Sequence, residues 1–147
     1  TLLKLGKSVD IILQNKISQG YSKIIGGHRV NKTFIPNRKN YDLVILVDCS
    51  DLDRTVDNLK SMGKFMVVID HHYGCDPIGD IYLYERAAST GIIIYKIIKK
   101  MIAIDKDIAN ALYLTIRSDT GSFKNGSTDA KAHEVTGDLL IRGADVQ

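Results

Sequence analysis

Long apolar runs are missing from this sequence. None reaches the roughly 18 residues that a membrane-spanning helix needs, so no contact with a membrane is expected. Cysteine is scarce: Cys49 and Cys75 are the only two, at a separation that fits no zinc-binding pattern. Reduced thiols in a cytoplasmic protein are therefore expected rather than a disulfide framework. No long block of like charges marks a nucleic-acid-binding arm. Internal repeats, low-complexity tracts and linkers are also lacking, so residues 1–147 are read as one domain. No signal-peptide pattern opens the chain, and its first residue is Thr1 rather than methionine. Thr1 to Lys7 reads as the last turn of an apolar helix, stopped by Gly6 and flanked by a lysine. A helix met at its end gives the expectation that the domain is incomplete at its N-terminus.

What is present is an ordinary globular balance. With 44% hydrophobic and 25% charged residues, the chain lies far from the composition of disorder and can bury a sizeable core. The net charge of +3 suits an anionic substrate without demonstrating one.

Ser8 to Leu13 reads as a short strand, and Ile17 to Arg38, with three glycines and Pro36, as turns. Asp42 to Val47 and Lys64 to Ile69 are continuous apolar runs, the pattern of strands buried on both faces. Between them, Asp51 to Met62 reads as a helix ended by Gly63. Ile81 to Tyr84 is a third, shorter strand. Helices are expected over Ala87–Ile102, with Ser89 and Thr90 near its N-terminus, over Asp107–Arg117, and from about Thr128 to Arg142, stopped by Gly143. Alternating strands and helices predict an α/β fold: a mainly parallel sheet flanked by helices.

In such a sheet ligands bind beyond the carboxyl ends of the strands. Two of the apolar strands end in acidic clusters, Asp48-Cys49-Ser50-Asp51 and Asp70-His71-His72, and Ser118-Asp119-Thr120-Gly121 follows a later helix. Carboxylates and imidazoles gathered on one rim bind divalent cations, and an oxygen-rich set suits manganese or magnesium better than structural zinc. Plainer readings stand beside this one. Asp48 and Asp51 are each good helix N-caps, and Asp70 can serve by accepting hydrogen bonds from loop backbone. Two adjacent histidines directly after a strand-ending aspartate are harder to account for that way.

Several of these segments resemble, in order, the motifs of the DHH superfamily of phosphoesterases (RecJ-like). Val68-Ile69-Asp70-His71-His72 resembles its signature, and Val47 to Arg54 its second motif. Glu85 to Thr90 is similar to the Ser-Thr segment that opens the next helix, and Leu112 to Phe123 to the fourth motif. Leu139 to Val146 also fits. The resemblance implies two manganese ions, with magnesium as the alternative. It implies Asp48 as the bridging ligand, His71 and Asp119 as ligands, and His72 against substrate phosphate. Asp70 would orient a histidine, while Asp51 and Arg54 would support the site, Arg54 on the substrate side. The family's first motif, which carries three further ligands, and its smaller C-terminal substrate domain have no counterpart here. Ile25-Gly26-Gly27-His28 lies in the wrong half to replace the latter.

The likeness is strongest to the branch that degrades very short oligoribonucleotides and dephosphorylates 3′-phosphoadenosine 5′-phosphate. It implies a phosphoesterase and exoribonuclease acting on such nucleotides. Cyclic dinucleotide hydrolysis is the runner-up, and a catalytically incomplete nucleotide-binding domain is the competing class. A homodimer is compatible with either. Tyr82, Tyr84, Tyr95 and Tyr113 are read as core rather than base-stacking platforms, and Lys96, Lys99 and Lys100 as a solvated helix face. His133 is read as surface, Lys124 as a minor phosphate contact, and the two cysteines as non-ligands.

Overall fold

The structure is a computed structural model that describes residues 1–12, 30–31, 40–49, 55, 59–74 and 76–145, with Val30 and Asn31 described by backbone alone. Its elements are β1 (Ile11–Ile12), β2 (Val30–Asn31), β3 (Val44–Val47), β4 (Met66–Asp70), β5 (Ile81–Tyr84), α1 (Thr90–Met101), α2 (Lys106–Asp119) and α3 (Ala130–Ile141). The α/β expectation holds. β3, β4 and β5 form a parallel sheet in that order, and β1 pairs in parallel with β2. Of the strand read over Ser8–Leu13, Ile11–Ile12 are strand, Ser8–Asp10 precede it, and Leu13 lies outside the described residues. Of the helix read over Asp51–Met62, residues 59–62 form a single 3-10 turn, and most of the remainder falls outside the described residues.

Register sets where the chemistry can sit. Val47 pairs with Ile69, and Asp70 with Tyr84, so the three strands end within a residue of one another. Asp48 continues the ladder by donating its N–H to the Ile69 carbonyl at 3.0 Å. As the middle strand, β4 is the most enclosed: Met66, Val68 and Ile69 are buried, and Asp70 is wholly buried among them. Side chains on one pleat face of β3 and β5 stay partly open, with Ile45, Val47, Ile81 and Leu83 all exposed.

The helices close a separate core. Ile92, Tyr95 and Ile98 recur at helical spacing along α1, Ile108, Leu112 and Ile116 along α2, and Ala132, Val135 and Leu139 along α3. Each helix starts on a side-chain cap. Ser89 accepts from the Gly91 N–H, Asp105 from Ile108 and Asp129 from Ala132, each cap contributing about 1 kcal/mol. α2 and α3 end in paired reverse bonds across Gly121 and Gly143, both in the left-handed region. The same pattern closes residues 1–7. The Gly6 N–H bonds the Leu3 carbonyl and the Lys7 N–H bonds the Leu2 carbonyl, as the helix-end reading requires. Among the described residues, no helix is long and apolar enough to cross a membrane.

Candidate metal centre at the sheet rim

The parallel register brings Asp48, His71 and His72 to one edge. One ligand atom from each lies within 4.8 Å of the other two. Asp48 sits at φ +57°, a left-handed conformation that aspartate tolerates better than most residues.

Burial is graded outward from the sheet. Asp70 is fully buried, the His71 side chain is 17% exposed, and that of His72 51%. Asp70 Oδ1 accepts from the His71 N–H at 2.7 Å, the His72 N–H at 3.2 Å and His72 Nδ1 at 2.7 Å. It therefore serves the backbone-anchoring role and the histidine-orienting role at once, and the ring it orients is His72. The Nδ1 of His71 lies 2.9 Å from the Ala87 carbonyl. Carbonyl and carboxylate oxygens only accept, so both Nδ1 atoms carry protons, and in the neutral ring it is Nε2 that offers a lone pair. This is the tautomer a metal-binding histidine needs.

His71 Nε2 lies 3.5 Å from Asp48 Oδ1. Two lone-pair atoms this close repel unless a proton or a cation lies between them, and the Asp48 side chain is 44% exposed toward solvent. One carboxylate oxygen and two imidazole nitrogens are donors of the kind that bind divalent transition-metal ions. The residues present thus fit a cation, with Asp48, His71 and His72 at its edge.

Asp119 approaches from the helical side. It is the last residue of α2, carried to the rim by the chain reversal that follows it. Gly121, Ser122 and Phe123 are all left-handed, at φ +56°, +59° and +66°. This tight turn is held by the Thr120 carbonyl, which accepts from Lys124 and Asn125, by the Thr120 hydroxyl, which accepts from Phe123, and by Asn125 Nδ2, which donates to the Asp119 carbonyl. Burial pushes the Asp119 carboxyl above the ordinary aspartate value. A hydrogen bond from Ser89 opposes this, the negative Asp48 adds to it, and His71 and His72 draw it down. Asp119 therefore lies within electrostatic reach of all three rim residues, although it is not one of the 4.8 Å trio.

Asp51 and Arg54 lie outside the described residues, as do His28 and Cys75. Cys49 is not disulfide-bonded. Tyr95 and Tyr113 are core, as read, whereas Tyr84 is exposed and stacks with Tyr82 at a ring separation of 6.4 Å. Lys96 is paired with Glu85, and Lys99 donates to the Tyr95 hydroxyl. His133 is exposed and stacks on Phe123. Sequence reasoning did not anticipate the Ala87 carbonyl, because a backbone acceptor leaves no trace in residue type. It also placed Ser89 and Thr90 only at a helix start. Thr90 Oγ1 in fact donates to Asp48 Oδ1 at 2.8 Å, and Ser89 Oγ to Asp119 Oδ2 at 2.5 Å.

Comparison with known proteins bears on the family and the fold. Residues 4–116 match the family described as "DHH family, N-terminal domain". Over 106 residues the chain is 33% identical to the "Probable bifunctional oligoribonuclease and PAP phosphatase NrnA" of Streptococcus mutans serotype c, covering 69% of this chain and 34% of that protein. Over 103 residues it is 29% identical to the "Bifunctional oligoribonuclease and PAP phosphatase NrnA" of Bacillus subtilis, covering 67% and 33%. The chain thus spans about one third of the length of these relatives. An exopolyphosphatase-related protein from Bacteroides fragilis shares the fold, with a TM-score of 0.83 and 21% identity, over 98% of this chain and 46% of that one. With the motif order, the parallel rim and a family match over most of its length, the chain belongs to the DHH family by its N-terminal domain.

Proposed function

We propose that this chain forms part of the active site of a metal-dependent phosphoesterase that hydrolyses short oligoribonucleotides or small nucleotides such as 3′-phosphoadenosine 5′-phosphate. The observation that carries this reading is the Asp48–His71–His72 trio, with both imidazoles fixed in the tautomer that offers Nε2. The relatives named as oligoribonucleases and PAP phosphatases support the substrate class.

In this reading Asp48, His71 and Asp119 hold manganese, with magnesium as the alternative. A bound divalent cation supplies Lewis-acid polarisation of a phosphoryl oxygen and acidification of a water. The protein's own residues do the rest. His72, the outermost of the rim residues, faces substrate phosphate, while Asp70 fixes its ring by accepting from Nδ1. The Ala87 carbonyl keeps His71 from rotating. Arg54 and Asp51 are proposed as a substrate contact and a support.

The test is hydrolysis by the full-length protein of a diribonucleotide, 3′-phosphoadenosine 5′-phosphate and a cyclic dinucleotide, with manganese and with chelator. The reading predicts manganese-dependent turnover of the first two, abolished by chelation. Preference for the cyclic dinucleotide would replace the substrate class. Nucleotide binding without any turnover would instead favour a binding domain.

A further inference from the structure

The two carboxylates of the rim come from different layers, Asp48 from the sheet and Asp119 from a helix end, and each carries a hydroxyl donor from the same dipeptide. We infer that Ser89 and Thr90 are positioning residues that set the Asp48 and Asp119 carboxylates for the cation, a role resting on the reading that those two carboxylates ligate it.

The geometry is specific. Ser89 and Thr90 are both buried, so neither hydroxyl exchanges freely with water. The Ser89 oxygen already accepts the Gly91 N–H at 3.0 Å as the cap of α1. Its proton is thereby directed away from the helix, onto Asp119 Oδ2. Thr90, the next residue, is the first of α1, and its hydroxyl points the other way along the rim to Asp48 Oδ1. Thr90 holds the same Asp48 oxygen, Oδ1, that faces His71 Nε2, and as a neutral donor it fixes that carboxylate while leaving it lone pairs for a cation; Ser89 holds Oδ2 of Asp119 and leaves the other oxygen open. Unlike a lysine or arginine in the same place, a hydroxyl adds no positive charge that would repel the metal.

Close packing of α1 on α2 makes the reach to Asp119 possible. A Cβ built on Gly91 would lie 3.1 Å from Thr115 Cγ2 and 3.2 Å from Ile116 Cγ1, about one turn before Asp119. Glycine at this position lets the start of α1 settle against the end of α2. The same close approach sets the 2.5 Å bond from Ser89 to Asp119.

The experiment is a manganese titration of the full-length protein, counting free Mn2+ by electron paramagnetic resonance, with melting curves recorded in chelator. Thr90→Val keeps the branched shape and loses the hydroxyl, whereas Thr90→Ser keeps the hydroxyl and loses a buried methyl. Ser89→Ala probes the other carboxylate. Thr90→Val and Ser89→Ala are expected to weaken Mn2+ binding by about 10–100-fold, with Thr90→Ser within about threefold of wild type despite melting at a lower temperature. A purely structural role gives the opposite pattern, with affinity following melting temperature. Wild-type affinity in Thr90→Val, or equal losses in Thr90→Val and Thr90→Ser, overturns the inference and leaves the metal site standing. If Thr90→Val does not fold, Ser89→Ala decides in the same way. Failure of the wild-type protein to bind Mn2+ overturns the metal site as well.

Discussion

The rim has a strand side and a helix side, built by different physics. On the strand side, Asp48, Asp70, His71 and His72 are placed by the parallel register of β3 and β4, in which every ladder bond constrains the next. On the helix side, Asp119 is placed by termini: the cap of α1, the end of α2 and a turn of three consecutive left-handed residues. A strand end inherits its position from the sheet. A helix end must be held by individual side-chain bonds, here from Ser89, Thr120 and Asn125. The strand side should therefore fail through lost chemistry, and the helix side through lost geometry.

Four substitutions or conditions bear on that contrast. The largest effect is expected from His71→Ala, which removes a proposed ligand from an already formed sheet. Metal-dependent turnover should disappear while the melting temperature in chelator barely moves. Full activity would break the ligand assignment. Next is Asp70→Asn, which leaves the rim residues in place but turns an acceptor of three hydrogen bonds into an amide. Turnover should fall by about 10–100-fold, as for other groups that orient site histidines. Steady-state rates with the diribonucleotide check it, and an unchanged rate would assign Asp70 to loop anchoring alone.

On the helix side, Gly121→Ala asks for a side chain at φ +56°, with its Cβ 2.6 Å from Asn125 Oδ1. The cost should be about 1–3 kcal/mol of unfolding free energy, with a matching loss of metal affinity as Asp119 shifts. Denaturant titration measures the first and Mn2+ binding the second. A destabilised variant with intact affinity would show that the turn does not set Asp119.

The smallest effect belongs to a helix end far from the chemistry. The Arg142 guanidinium bonded to Asp138 holds that carboxyl below the ordinary aspartate range, helped by the Tyr95 hydroxyl. Because the folded value is lowered, the contribution is fully present above the ordinary aspartate pKa and is lost as pH falls through the lowered value. Arg142→Ala should cost about 0.3–0.5 kcal/mol near neutrality, as for other surface i,i+4 pairs. Its melting curve should converge on wild type in strong acid, with no change in turnover at any pH.

The same contrast explains what could be read from residue order. β3, β4 and β5 announced themselves as apolar runs, and Asp48 and Asp70-His71-His72 followed because each run ends in polar residues. Helix ends at Gly6 and Gly143 were legible through the left-handed requirement that glycine meets most easily, whereas the helix read as ending at Arg117 runs on to Asp119 before Gly121. The strained pair Ser122 and Phe123 was not, since neither residue type signals a positive φ. The Ala87 carbonyl and the division of labour between Ser89 and Thr90 were hidden for another reason. They depend on how closely the start of α1 meets the strand ends on one side and the end of α2 on the other, tertiary distances with no local signature.

The most direct measurement is an anomalous difference map from a crystal of the protein soaked in manganese. The account predicts a peak at the rim contacted by Asp48 Oδ and His71 Nε2, with an Asp119 oxygen turned toward it. A map with manganese bound elsewhere, or with these side chains directed away from any peak, would contradict it.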